Sequence, residues 1–112
     1  MAAGRGREST IAKRLREARQ AAGLSQRELG VLAGFDPSVA SPRVNQYERA
    51  KHVPNPSVLE KLGRVLNCPL AFFFAVDDGL AVLALAYHRA SASERKRFHE
   101  LASRMPSRRR AD

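Results

Sequence analysis

The sequence predicts an all-α protein, and three observations carry that expectation. Apolar residues recur at i, i+3, i+4 and i+7 through most of the chain. The capping pattern S-x-x-E stands ahead of such runs at Ser25 with Glu28, Ser57 with Glu60 and Ser91 with Glu94. No alternation of period two between hairpin turns occurs. A length of 112 residues suits one domain with appendages, and no segment is repeated.

Residues 1–9 are small, glycine-rich and basic, as in a flexible arm. Five helices are expected over residues 10–76. Thr10 caps the first, in which Ile11, Leu15, Ala18 and Ala22 face inward while Lys13, Arg14, Arg16 and Glu17 take the other faces, and Gly23 follows as a residue tolerant of positive φ. Ser25 opens the second, with Leu29, Leu32 and Ala33 as its inner stripe, Gly34 at its end and Phe35 as a core anchor. The third holds Arg43 to Arg49. Asp36-Pro37 and Ser41-Pro42 both read as a cap followed by a first-turn proline, and an interior Pro42 costs about 3 kcal/mol. That cost favours Ser41 as the effective cap, with a separate helical turn before it. Lys51 to Asn55 form a loop, Ser57 opens the fourth helix with Val58, Leu59, Leu62, Val65 and Leu66 inward, and Asn67 ends it. Pro69 starts a short fifth helix whose Leu70, Phe72, Phe73 and Phe74 close the core.

Two additional helices are expected over residues 77–105. Asp77 or Asp78 caps the sixth, which runs to about Ala90, and Ser91 caps the seventh, where Phe98, Leu101, Ala102 and Met105 form one stripe. Residues 106–112, with Arg108, Arg109 and Arg110, read as a disordered basic tail.

A hydrophobic fraction of 44% with 28% charged residues is ordinary for a globular protein. A net charge of +9 and a pI near 11.0 imply a polyanionic partner, nucleic acid being the commonest; arginine that merely keeps a small protein in solution is the alternative. A lone Cys68 forms no internal disulfide, and a charged start followed by an apolar run and a cleavage site is missing, so a reduced, cytoplasmic setting is expected. The apolar runs at 69–76 and 80–87 are far short of the roughly 20 residues that span a bilayer. His52, His88 and His99 have no metal-ligand spacing to one another or to Cys68, and no nucleophile sits beside a base in a known motif, so neither a cofactor, a metal nor catalysis is expected.

The stretch from Ser25 to Lys51 carries the chemistry. Gln26, Arg43, Asn45 and Gln46 are side chains of the kind that reach phosphates and base edges, while Leu29, Leu32, Val44 and Tyr47 fall at inward spacings. Double-stranded DNA is the partner this combination indicates.

From about Thr10 to Phe74 the chain resembles the Cro/lambda-repressor type of helix-turn-helix protein, the XRE family of bacterial and phage regulators. The residues that carry the resemblance are Ile11 and Leu15, Gly23-Leu24-Ser25-Gln26-Arg27-Glu28-Leu29, Val44-Asn45-Gln46-Tyr47-Glu48, and Pro56-Ser57-Val58-Leu59 through Leu62 to Leu66-Asn67. It implies a five-helix lambda-repressor-like DNA-binding domain. Gln26 and Arg27 would then hold a phosphate at the start of helix two. Helix three would lie in the major groove, with Arg43, Asn45 and Gln46 as base-reading candidates and Ser38 and Ser41, equally explained as caps, as weaker ones. Lys51 and His52 would touch phosphates beyond it. The resemblance also implies a partly buried pair between Arg19 and Glu48, and core positions for Val44 and Tyr47.

Two departures from the family pattern stand out. Between Gly34 and Val44 lie about four more residues than the usual form has, so the start of helix three is not aligned by the motif. Ala50 stands where glycine is usual, and alanine at positive φ costs on the order of 1 kcal/mol, so another conformation is expected at that helix end.

The family motif leaves residues 77–105 unexplained. Leu80, Val82, Leu83, Leu85 and Tyr87 leave the sixth helix almost without a polar face, which requires cover on more than one side. A homodimer surface built from Leu80, Leu83, Tyr87, Phe98 and Leu101 is expected; the alternative is that the sixth helix only plugs the core beside Phe72 to Phe74. Arg89, Arg95, Lys96, Arg97 and Arg104 either add salt-dependent DNA affinity or form a solvated face. The expectation is therefore a homodimeric transcriptional regulator, a repressor on an inverted repeat. Its alternative is an antitoxin-like interaction protein whose C-terminal helices grip a partner protein, and a use of the arginine-rich tail in non-specific nucleic-acid binding comes third.

Overall fold

The computed structural model describes residues 6–109, the side chains of residues 6–9 excepted. Among these residues there are seven α-helices and no strand: α1 Gly6–Ala21, α2 Gln26–Leu32, α3 Pro37–Glu48, α4 Pro56–Leu66, α5 Leu70–Phe74, α6 Asp78–Arg89 and α7 Ala92–Arg104. The all-α expectation and the helix count are met. Residues 1–5 of the expected arm and residues 110–112 of the expected tail lie outside the described residues, and residues 106–109 form no helix.

Helix α1 starts at Gly6, so Thr10 lies inside it and does not cap it, and residues 6–9 belong to the helix, not to the arm. Once the following turns are pinned, each upstream residue adds a backbone hydrogen bond at little cost. Ile11, Ala12, Leu15 and Ala18 are buried, but Ala22 is exposed. Arg14, expected on an outer face, is only 3% exposed. Its Nε donates to the Ala75 carbonyl at 2.8 Å and its Nη2 to the Val76 carbonyl at 3.2 Å. Its guanidinium also meets Glu17 at 3.1 Å and Asp78 at 3.0 Å and lies 5.9 Å from the Phe72 ring centre. The end of α5 delivers orphan carbonyls to this place, and an arginine is the side chain that can satisfy them.

Ser25 and Glu28 form the expected capping box of α2: the Glu28 N–H donates to Ser25 Oγ at 2.9 Å and the Ser25 N–H to Glu28 Oε1 at 2.8 Å. Leu29 and Ala33 are buried, whereas Leu32 is 62% exposed and Gly30 takes its inward place. The reason is close approach of α3, since a Cβ on Gly30 would stand 2.8 Å from the Cβ of Ala40.

Helix α3 runs unbroken through Pro42, so Ser41 is not its cap. Asp36 is: its Oδ1 accepts from the Ser38 N–H at 2.8 Å and from Ser38 Oγ at 2.6 Å, and Pro37 sits at the first turn where its missing N–H costs nothing. Ala40 and Val44, both fully buried, hold the segment against α2, and that packing outweighs the cost of an interior proline. Ser57 likewise lies within α4, whose cap is Asn55 (to the Val58 N–H, 2.8 Å) with Pro56 following it. Asn67 ends α4 in the left-handed region at φ 55°. Ala50 takes the left-handed conformation after all, at φ 59°. The turn it closes is secured by Lys51 N–H bonding the Gln46 carbonyl at 2.9 Å, an arrangement that offsets the strain of an alanine there.

Leu15, Leu29, Val44, Leu59, Leu62 and Phe73 are the largest fully buried side chains, so α1 to α5 enclose one core. Helix α6 adds Ala81, with Ala84 and Leu85 packed against it, and α7 buries no residue. Asp77 caps α6 and the Ser91–Glu94 box caps α7, as expected. Two further arginines act as Arg14 does. Arg89 donates to the Asn67 carbonyl at 3.0 Å and the Leu66 carbonyl at 3.2 Å, closing the end of α4. Arg95 closes the end of α6 through the carbonyls of Tyr87 at 2.9 Å and His88 at 2.6 Å. Cys68 is buried; burial pushes its thiol up, with Arg89 pulling the other way.

Candidate nucleic-acid interface

The surface formed by the start of α2 and the outer side of α3 is built on a hydrogen-bonded network that joins three helices. Arg19 Nε donates to Glu48 Oε2 at 2.5 Å and Nη2 to Oε1 at 3.0 Å, while Nη1 holds the Leu24 carbonyl at 2.9 Å just before α2. Glu48 is buried, and its hydrogen bond to Arg19 raises the guanidinium's already high pKa. From the first position of α2, Gln26 Nε2 donates to Glu48 Oε1 at 3.1 Å and to Asn45 Oδ1 at 3.2 Å. The network thus fixes the angle of α3 to α1 and α2 and presents Asn45 and Gln26 side by side. Among the described residues no buried side-chain nitrogen or oxygen lacks a hydrogen-bond partner.

Arg43 takes a different position from the amides. Its guanidinium stacks 4.0 Å from the Phe35 ring centre, and Nη2 donates to Tyr47 Oη at 2.9 Å. Phe35 and Tyr47 are themselves edge to face, 6.5 Å apart. An arginine so clamped keeps further N–H groups for a partner but has lost its freedom of reach.

Arg27, Gln46, Lys51 and His52 are exposed, the last two in the turn after α3. Ser38 is exposed, but its hydroxyl is engaged by Asp36, whose carboxyl those bonds hold below its usual range. Ser41 is half-buried on the flank. Because α3 starts at Pro37, its outward side also carries Val39 and Pro42, which the sequence reading did not single out as contacts, and Arg49 lies exposed at its C-cap. The Asp36-Pro37 signal would have placed Val39 and Pro42 on this helix had it been preferred to Ser41-Pro42.

At the other end of the molecule Leu80, Leu83, Tyr87 and Leu101 are exposed, as are Val82 and Met105. Phe98 is half-buried against Tyr87, with ring centres 6.0 Å apart. An open groove of about 560 Å³ runs beside them, lined by Ala86, Ala90, Phe98 and Leu101 between Arg89, Glu94 and Arg97. No described helix is long and apolar enough to cross a membrane.

A short second helix set against a longer third one, whose outer side carries amides and basic groups, defines a helix-turn-helix DNA-binding protein. Residues 15–73 match the helix-turn-helix family HTH_3, and the chain belongs to this XRE-type family of transcriptional regulators. Among solved structures it is similar to that of the transcriptional regulator BswR, with 38% sequence identity and a TM-score of 0.78 over 84% of this chain and 93% of that one. That share is too large to be confined to residues 1–73, so the likeness reaches into the C-terminal helices. No curated protein matches the chain.

Proposed function

We propose that the protein is a cytoplasmic homodimeric repressor that binds an inverted-repeat operator through α3. The observation that carries this reading is the Gln26–Asn45–Glu48–Arg19 network, which sets an amide pair rigidly beside the exposed Gln46 on the groove side of the helix. Preset amides can read adenine N6 and N7 without first losing rotamer freedom. Gln26 and Arg27 hold a phosphate at the start of α2, aided by its positive end. Asn45 and Gln46 read base edges, with Arg43 adding an N–H from its fixed place against Phe35. Ser38 and Ser41 make minor contacts at the helix start, and Lys51 and His52 bind the backbone beyond its end.

The homodimer reading is supported by the exposed Leu80, Leu83, Tyr87 and Leu101 with the neighbouring Phe98. A pair of such faces brought together places two recognition helices on one side of a duplex, to be matched to half-sites about 34–36 Å apart.

The test is selection of bound sequences from random duplex DNA at two salt concentrations, with light scattering of the free protein and of the complex. A palindromic site whose affinity survives the higher salt, bound by a dimer, is expected. Loss of all affinity with salt and no recovered site would leave only the phosphate term and sink the reading. A monomer both free and on DNA would transfer the apolar face to a partner protein, the antitoxin-like alternative.

A further inference from the structure

We infer that Val39 and Pro42 form an apolar contact on the groove side of α3 that selects thymine through its C5-methyl group. This rests on the reading of α3 as the recognition helix and adds a determinant of specificity to it. In this mode of docking the N-terminal half of the helix meets the base edges, and because α3 begins at Pro37 that half spans residues 37–43. Three of its side chains are already committed. Ala40 is buried, the Ser38 hydroxyl is held by Asp36 at 2.6 Å, and Arg43 is stacked on Phe35 and bonded to Tyr47. Pro37 stands at the very start of the helix and Ser41 is half-buried on its flank; what faces outward between them and Arg43 is Val39, 41% exposed, and Pro42, also exposed.

The two are three residues apart and so are neighbours on the helix surface, and Gln46 and Arg49 continue the same outer side. Neither needs ordering on contact: valine in a helix has one strongly preferred rotamer and proline has almost none to lose. An exposed proline inside a helix breaks a local rule without any packing gain of its own, and such violations concentrate where a chain is used. The major groove offers one apolar feature for such a surface, the thymine methyl.

The experiment uses the full chain and the duplex recovered by selection, with each thymine of a half-site replaced in turn by deoxyuridine, which deletes only the methyl. Binding is read by fluorescence anisotropy at fixed salt. At one or two positions the wild type is expected to weaken about three- to fivefold, the effect of withdrawing one buried methyl group. That sensitivity is expected to vanish at the matching positions in Val39→Ser and Pro42→Ser, both surface changes whose folding is checked by circular dichroism. Recovered half-sites without thymine, a wild type indifferent to every deoxyuridine, or a sensitivity unchanged in both variants each overturn the inference while leaving α3 as the reading helix. Failure to recover any site sinks both.

Discussion

In residues 10–75 most large apolar side chains point inward, with Leu15, Leu29, Val44, Leu59, Leu62 and Phe73 fully buried, although Leu32, Val39 and Phe74, the last expected in the core, are exposed; in α6 and α7 Leu80, Val82, Leu83, Tyr87, Leu101 and Met105 stand in solvent. The local signals of the two regions are equally good. Ser25 and Ser91 make the same capping box, and Asn55 and Asp77 each accept from a backbone N–H three residues on, at 2.8 Å. Caps and helical spacing therefore make a helix in both, but only the first region also has neighbours to cover its stripe. The second is tied on by arginines that close helix ends and by a few small residues, Ala81 above all. Its exposed face is the one that the proposed homodimer would cover.

The largest expected effect separates the two regions directly. Phe73→Ala, in the sealed core, should lower unfolding free energy by about 3–5 kcal/mol in urea titrations followed by circular dichroism. Leu83→Ala, at a residue 56% exposed, should stay within about 0.5 kcal/mol at high dilution, yet weaken the proposed self-association in light scattering. Equal losses from the two would show that α6 is as firmly packed as α5 and erase the contrast.

Next in size is Gly30→Ala, at the tightest point between α2 and α3. The added Cβ would meet the Ala40 Cβ at 2.8 Å and its backbone at 3.0 Å, so about 1–3 kcal/mol should be lost. Ala40→Gly in the same chain should restore part of it, and a Gly30→Ala protein as stable as the wild type would mean that the two helices separate easily. In the opposite direction, Ala50→Gly removes the strain of an alanine at φ 59° and should stabilise by about 0.5–1 kcal/mol, visible as a higher Tm. An unchanged or lower Tm would place the cost of Ala50 elsewhere.

The smallest effect concerns the junction of the two regions. A hydrogen bond from Arg14, then the charge of Lys13, holds the Asp78 carboxyl below its usual range. The stabilisation it contributes is therefore complete above the unfolded value of about 4 and is lost as pH falls through the lower folded value. Asp78→Asn should leave a Tm that falls less steeply on acidification than the wild type's. Parallel acid limbs for the two proteins would show that the junction draws nothing from this pair. The carboxylate is exposed, so a modest difference is expected.

Much of this molecule is legible in its sequence because the signals are local. Ser25 with Glu28, Ser91 with Glu94, Asp77 and the left-handed Asn67 behave as their types dictate, and the spacing of Leu59, Leu62 and Leu66 names the buried side of α4. Misreadings arose where two local signals compete. Asp36-Pro37 and Ser41-Pro42 are equivalent as caps, as are Asn55-Pro56 and Ser57 with Glu60, and nothing nearby ranks them. Arg14 and Leu32 exchanged their expected surroundings because a helical stripe assigns angle, not neighbours.

By itself, then, the sequence determined the helices, most of their ends, the recognition unit and the positive charge, since each depends on interactions within a few residues. Tertiary structure alone decided that α3 runs through Pro42, because packing of Ala40 and Val44 against α2 outweighs the proline's cost. It decided that Arg14, Arg89 and Arg95 close helix ends, because orphan carbonyls become neighbours only when the chain folds back. It also decided that Gln26, Asn45 and Glu48 share one network while Arg43 is withheld on Phe35, since hydrogen bonds and ring contacts are set by the relative placement of helices that spacing along the chain does not encode.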